Sequence, residues 1–198
     1  MFQGPGRHSG PAIGIGNLSG DLGALLFAPP GGSRRPDSTM RFSQFLDADR
    51  VVLPLESGDK WEAIGQLMTH LEQVGAIPGE LARDLHDAVL ARERSMSTGM
   101  ERGIAIPHAA VDGLEVPVAA LGIITREEGL SFDSLDSTPT RFVVLLLIPR
   151  TQKLLHIRTL AEIARLLGEK QVRERLLACP DGAAALASLL EAEAQLDD

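Results

Sequence analysis

Cysteine is nearly absent from this chain. With Cys179 alone among 198 residues no internal disulfide can form, which fits a reducing compartment and makes a cytoplasmic location the expectation. That thiol reads as a small apolar filler near a helix end. Positive charge is also short. Nineteen Lys and Arg against 27 Asp and Glu give a formal net charge of −8. No basic stripe is left to neutralise phosphates, so nucleic-acid binding is not expected as a main task. No run of about eighteen apolar residues occurs, which argues against membrane insertion. A P-loop, a nucleophilic serine elbow and the charged start with compact apolar core of a signal peptide are missing too.

What is present suits one globular domain with a sizeable core, since 44% of the residues are hydrophobic. Residues 1–39 differ in kind: they hold nine of the twenty glycines and five of the twelve prolines. Such a segment buries too little surface to offset its ordering entropy, and a flexible stretch is expected there. Its Gly14-Ile15-Gly16 and Gly20 lack the spacing and the preceding strand of a dinucleotide loop. The folded domain is expected over 40–198.

Within it the pattern is regular. Residues 50–55 read as a first strand. Asp59 and Glu62 form a capping box that opens a helix with the apolar stripe Trp61, Ile64, Leu67, Met68 and Leu71; His70 falls off that stripe and is expected in solvent. A second helix follows Pro78, with Leu81, Leu85 and Ala88 inward and His86 off the row. Further strands are expected at 103–106, 118–125 and 141–148. The last two are almost wholly apolar, which implies a sheet covered on both faces. Helices at about 153–167, 169–178 and 182–193 can supply that cover, with Gly168 ending the first. The fold class is α/β: a three-layer sandwich, a mixed central β-sheet flanked by helices.

Three residues break the rule of their own faces. Alternation through Gly103-Ile104-Ala105-Ile106-Pro107-His108 puts Ile104, Ile106 and His108 on one side. Pro107 lacks an N–H, so pairing is expected to stop there and leave the imidazole at the exposed strand end. A neutral imidazole so placed can accept a proton, a metal or a phosphoryl group; it can equally be a partly buried, hydrogen-bonded histidine. Arg92 continues the row Leu81, Leu85, Ala88, where a guanidinium either snorkels or meets an anion. His156 shares a face with Leu160, Ile163 and Leu167 near a helix start, where free N–H groups and the helix dipole favour an anion. Ser97-Thr98-Gly99 suits a turn offering donors to phosphate oxygens, or an ordinary turn.

A metal is a poor fit for two imidazoles and an arginine, because arginine has no lone pair and repels a cation. Asp133 or Asp136 could add a ligand, but no spacing asks for one. Two histidines and an arginine suit instead a covalent phosphohistidine. Its phosphoryl group carries about two negative charges, which charge-assisted donors hold at roughly 1.5–3 kcal/mol each.

The run Arg92-Glu93 … Ser97-Thr98-Gly99 … Gly103-Ile104-Ala105-Ile106-Pro107-His108 resembles the phosphohistidine motif of enzyme IIA, fructose/mannitol type, in the bacterial phosphoenolpyruvate-dependent phosphotransferase system. That group includes the nitrogen-regulatory IIA proteins. Leu130-Ser131-Phe132-Asp133-Ser134-Leu135-Asp136, the strand ending Ile148-Pro149, and His156-Ile157-Arg158-Thr159-Leu160-Ala161-Glu162-Ile163-Ala164 are similar to it as well. The resemblance spans about residues 41–192. It implies that His108 takes phosphate from the histidine-containing phosphocarrier protein, that His156 orients the phosphorylated ring, and that Arg92 faces the phosphoryl group. Ser97 and Thr98 are the candidate phosphate-binding pair, with no metal or cofactor. The downstream partner is expected to be a IIB domain or a regulatory target protein. No IIB or membrane domain is fused in the sequence, which tilts the expectation towards regulation. Ala109-Ala110-Val111 and Ser137-Thr138-Pro139 depart from the commoner pattern and blur the choice of branch.

Overall fold

The computed structural model describes Met1 and residues 40–196. The Gly/Pro-rich segment expected to be flexible, with its Gly14–Gly20 stretch, lies outside the described residues. Two strands organise the remainder: β5 (Val118–Ile123) and β6 (Phe142–Pro149), in which every residue is buried. They pair antiparallel from Val118 opposite Leu147 to Ile123 opposite Phe142. Alternation then sorts β6. Phe142, Val144, Leu146 and Ile148 join one core cluster, and Val143, Leu145 and Leu147 the other. A strand with no polar side needs cover on both faces.

Helices supply it. α1 (Lys60–Gln73) and α2 (Gly79–Ser95) close one side, burying Ile64, Leu67, Leu71, Leu85 and Val89. α3 (Lys153–Gly168), α4 (Lys170–Leu177) and α5 (Gly182–Leu196) close the other through Ile163, Leu167, Leu176 and Leu189. Each fully buried Val, Leu, Ile or Phe contributes about 1.5–3 kcal/mol. Three short strands flank the central pair on either side: β1 (Val51–Val52), parallel to β5, and β2 (Gly99–Met100), antiparallel to β3 (Ile104–Ala105), which is parallel to β6. β4 (His108–Val111) also runs parallel to β6. The result is a six-stranded mixed sheet between two helical layers, the α/β sandwich expected.

The differences are local. Pairing of the first strand lapses after Val52, since Pro54 has no N–H, and returns as one bond from Leu55 N to Ile123 O at 2.8 Å. Asp59 caps α1 by accepting from Trp61 N (2.8 Å) and Glu62 N (2.9 Å). Glu62 reaches one residue further back than a capping box requires, to Gly58 N at 2.6 Å. Trp61 is not core: it is 38% exposed. At the second position of α1 it lies at the margin of the apolar stripe, with Lys60 and Arg94 placing cations 5.0 and 5.7 Å from its ring centroid. His70 is not simply solvated, because its Nε2 is bonded to the Asp49 carbonyl. His86 turns its Nε2 into the α1–α2 contact beside Gly65, buried and without a hydrogen-bond partner.

Candidate functional site

Pro107 interrupts the sheet less than its missing N–H suggests. Its carbonyl still accepts Leu146 N at 2.9 Å, and β6 pairs with β3 before the proline and with β4 after it. His108 therefore opens a second strand, in register with Leu146, instead of dangling beyond the first. One donor is lost and the ladder continues.

Alternation directs the ring. Ile104 and Ile106 belong to the α3 side of the sheet, Ala109 and Val111 to the α1–α2 side. His108 faces α3 and meets His156 edge to face, with centroids 5.1 Å apart and planes at 75°. His108 Nδ1 lies 2.7 Å from the Ile106 carbonyl oxygen. A carbonyl only accepts, so Nδ1 carries the hydrogen and Nε2 the lone pair. Burial lowers the His108 pKa below the ordinary 6.5; the Ile106 carbonyl opposes this, Arg92 and His156 lower it further, and Glu93 opposes.

His156 is the fourth residue of α3, and its own N–H is spent on Gln152 O at 3.0 Å. The backbone N–H of this residue is thus not one of the free groups of the helix start. Its ring matters instead: Nε2 is buried without a hydrogen-bond partner. Burial, then the charge of Arg92, lowers its pKa from 6.5. Arg92 comes from the opposite layer, in the last turn of α2, where its Nη1 donates to Met96 O at 2.7 Å. That leaves Nε and Nη2 to bind an anion. Arg92, Ser97, Thr98, Ile106, His108 and Leu160 line one hollow of about 370 Å³. Of the three residues singled out by their broken rows, Arg92 and His108 share this hollow, and His156 stands outside its lining with its ring against that of His108. Met96, Leu154 and Ile157, on the same stretches of α2's end and α3, are exposed.

Ser97 and Thr98 line the hollow, but their hydroxyls are turned to Glu93. Thr98 Oγ1 and N donate to Glu93 Oε2 at 2.6 and 3.0 Å. The single Ser97 hydroxyl proton is shared between Glu93 Oε1, at 2.9 Å, and the Phe132 carbonyl. Lys60 Nζ sits 3.3 Å from Glu93 Oε1 and 2.7 Å from Asp133 Oδ2. Glu93 is 2% exposed. Sequence reasoning missed it as a site residue, although the step of four from Leu85 to Val89 to Glu93 continues a buried row.

Asp136 serves its own loop, accepting from Arg102 N (2.7 Å), Thr138 Oγ1 (2.7 Å), Thr138 N (3.0 Å) and Ser134 Oγ (3.1 Å). The Arg102 N–H, then the Thr138 donors, hold its carboxyl well below the usual carboxylate range. Among the described residues no group of three His, Cys, Asp or Glu side chains could hold a metal ion, and no helix is long and apolar enough to cross a membrane. Two further hollows, about 300 Å³ beside residues 128–139 and about 610 Å³ between Val52 and α1, bring no arginine beside a histidine.

Comparison with known proteins agrees with this architecture. The family model described as "Phosphoenolpyruvate-dependent sugar phosphotransferase system, EIIA 2" matches residues 44–192. A nitrogen regulatory protein of Pseudomonas aeruginosa is 30% identical over 141 residues, 71% of this chain and 89% of that protein. The crystal structure of nitrogen regulatory protein IIA-Ntr from Neisseria meningitidis superposes with a TM-score of 0.66 at 26% identity, covering 74% of this chain and 97% of the other. The Escherichia coli mannitol enzyme IIA, solved in complex with phosphorylated enzyme IIB, shares the fold: TM-score 0.61, 23% identity, 74% and 97% covered.

Proposed function

Because this chain belongs to the EIIA type 2 family of the phosphoenolpyruvate-dependent sugar phosphotransferase system, we propose that His108 takes a phosphoryl group from the histidine-containing phosphocarrier protein and holds it as a phosphohistidine. The observation that carries this reading is the His108 ring itself. Its Nδ1–H is fixed on the Ile106 carbonyl, with His156 5.1 Å away and Arg92 in the same hollow. The domain responsible is residues 40–198.

Neutral His108 attacks phosphorus through the Nε2 lone pair. The Nε2–P bond forms as the P–N bond to the donor histidine breaks, and the electron pair of that bond returns to the donor ring. The His108 ring becomes cationic at that moment, and its Nδ1–H···O=C bond to Ile106 then strengthens. Arg92 and the unpartnered Nε2 of His156 meet the equatorial oxygens, where charge is concentrated. Ser97 completes the cradle by rotating its hydroxyl to a phosphoryl oxygen, while Thr98 lines the cradle and stays bonded to Glu93. The incoming donor is already an activated phosphohistidine, so the transfer calls for no metal or cofactor. The exposed Met96, Leu154 and Ile157 form an apolar rim on which a protein partner seats and excludes water.

The phosphorylated chain acts as a regulator, its state deciding whether it binds a target protein. The Pseudomonas aeruginosa nitrogen regulatory protein, matched over 89% of its length, favours this branch. A second reading is onward transfer to a IIB domain in sugar uptake, favoured by the mannitol IIA solved with phosphorylated IIB. Both are tested by incubating the chain with phosphoenolpyruvate, enzyme I and the phosphocarrier and then measuring its mass. One acid-labile phosphoryl group, lost in His108→Ala, is expected. Its absence with several carriers would mean a binding module that keeps the fold without phosphoryl transfer. Added IIB proteins that discharge the phosphate would select the transport branch.

A further inference from the structure

Glu93 is a buried carboxylate beside a hollow read as built for a dianion, an expensive place for negative charge unless it is well partnered. It is partnered on every side: Ser97 Oγ, Thr98 N and Thr98 Oγ1 donate to it, and Lys60 Nζ lies 3.3 Å away. From Thr98 the hydrogen bonds run on without a gap. The Thr98 carbonyl accepts Ile106 N at 3.2 Å, and the Ile106 carbonyl accepts His108 Nδ1–H at 2.7 Å. Arg92 and Glu93 are consecutive, so one residue pair sends a cation into the hollow and an anion behind its wall.

We propose that Glu93, held by Lys60, is a positioning residue for phosphoryl transfer, acting through Thr98 and Ile106 to hold His108 with Nε2 presented. It touches neither the hollow's contents nor the ring; it fixes the two peptide groups that orient the ring. Its charge also favours the cationic ring formed on phosphorylation, opposing Arg92 and His156, the other charged or titratable groups that act on His108.

This inference rests on the transfer reading, and the test separates the two. Glu93→Gln keeps the shape and one acceptor oxygen, loses the charge, and turns an amide towards the Thr98 donors. Its single-turnover phosphorylation by the phosphocarrier should be about 10- to 100-fold slower at saturating donor, with the half-saturating donor concentration changed less than about threefold. Nitrogen NMR of the His108 ring should show a lower titration midpoint and a mixed tautomer. Wild type that takes no phosphate sinks the transfer reading and this inference with it. Phosphorylated wild type beside a folded Glu93→Gln variant of equal rate and unchanged ring signals overturns the role of Glu93 alone. Should Glu93→Gln fail to fold, Lys60→Met, outside the hollow, decides: slowing of about threefold or more supports the proposal, and an unchanged rate overturns it.

Discussion

The Ile106 carbonyl oxygen and His108 Nδ1 lie 2.7 Å apart across Pro107. Ile106 is 4% exposed and its N–H is bonded to Thr98 O, so the carbonyl is held from within the core. The proline between them has a fixed φ and no hydrogen to donate, which keeps the two groups facing one another. A residue that reads as a strand breaker thereby helps select the histidine tautomer.

The pH dependence follows from the environment of that ring. Burial lowers the His108 pKa below 6.5, and Arg92 adds to the shift. The attacking form is neutral, so the phosphorylation rate should be flat from about pH 7 upward and fall only as the ring protonates below 6.5. Arg92→Gln should move the midpoint of the His108 NMR titration upward. A wild-type acid limb centred above 6.5 would contradict this account of the ring.

Removing a preorganised donor aimed at developing charge costs about 10²- to 10³-fold in rate. Arg92→Ala should therefore slow single-turnover phosphorylation by that order, while circular dichroism and the thermal midpoint stay close to wild type. A collapsed variant would show the arginine to be structural.

Stability carries the same signature. Both His108 and His156 have folded pKa values below the unfolded 6.5. Between the folded values and 6.5 the unfolded chain binds more protons, so stability falls as pH drops through that window. Urea midpoints measured above and within the window should differ more for wild type than for His108→Gln/His156→Gln. An equal difference would show that these rings do not titrate as described.

Gly99 tests the wall of the hollow. A Cβ there would meet the Phe132 carbonyl oxygen at 2.2 Å and its carbonyl carbon at 2.9 Å, both backbone atoms that cannot swing aside. Gly99→Ala should cost about 1–3 kcal/mol by denaturant unfolding, the range for overpacked sites. A loss within about 0.5 kcal/mol, the range of neutral surface changes, would mean the 97–99 turn yields freely.

Much of this was readable in the chain. The two wholly apolar strands announced a sheet with two covered faces, and 3.6-residue spacing announced its helices. His108, His156 and Arg92 stood out because each continued an apolar row with a polar group; the structure sets Arg92 and His108 on one hollow and the His156 ring against that of His108. What escaped depended on partners distant in sequence. Continuation of the ladder past Pro107 requires β6 on the same edge, pairing before and after the break. Glu93 beside Arg92 looks like an ordinary surface charge pair until Lys60 arrives from another helix and two hydroxyls turn inward. Trp61 lies at the first turn of α1, where a stripe read from spacing alone cannot show that the core has ended.

The central claim concerns one nitrogen atom. Label the chain with ¹⁵N-histidine, phosphorylate it with phosphoenolpyruvate, enzyme I and the phosphocarrier, and record phosphorus–nitrogen correlations. A phosphoryl group on Nε2 of His108, with Nδ1 still protonated, is the expected result. Phosphate on Nδ1, on another side chain, or on none would contradict it.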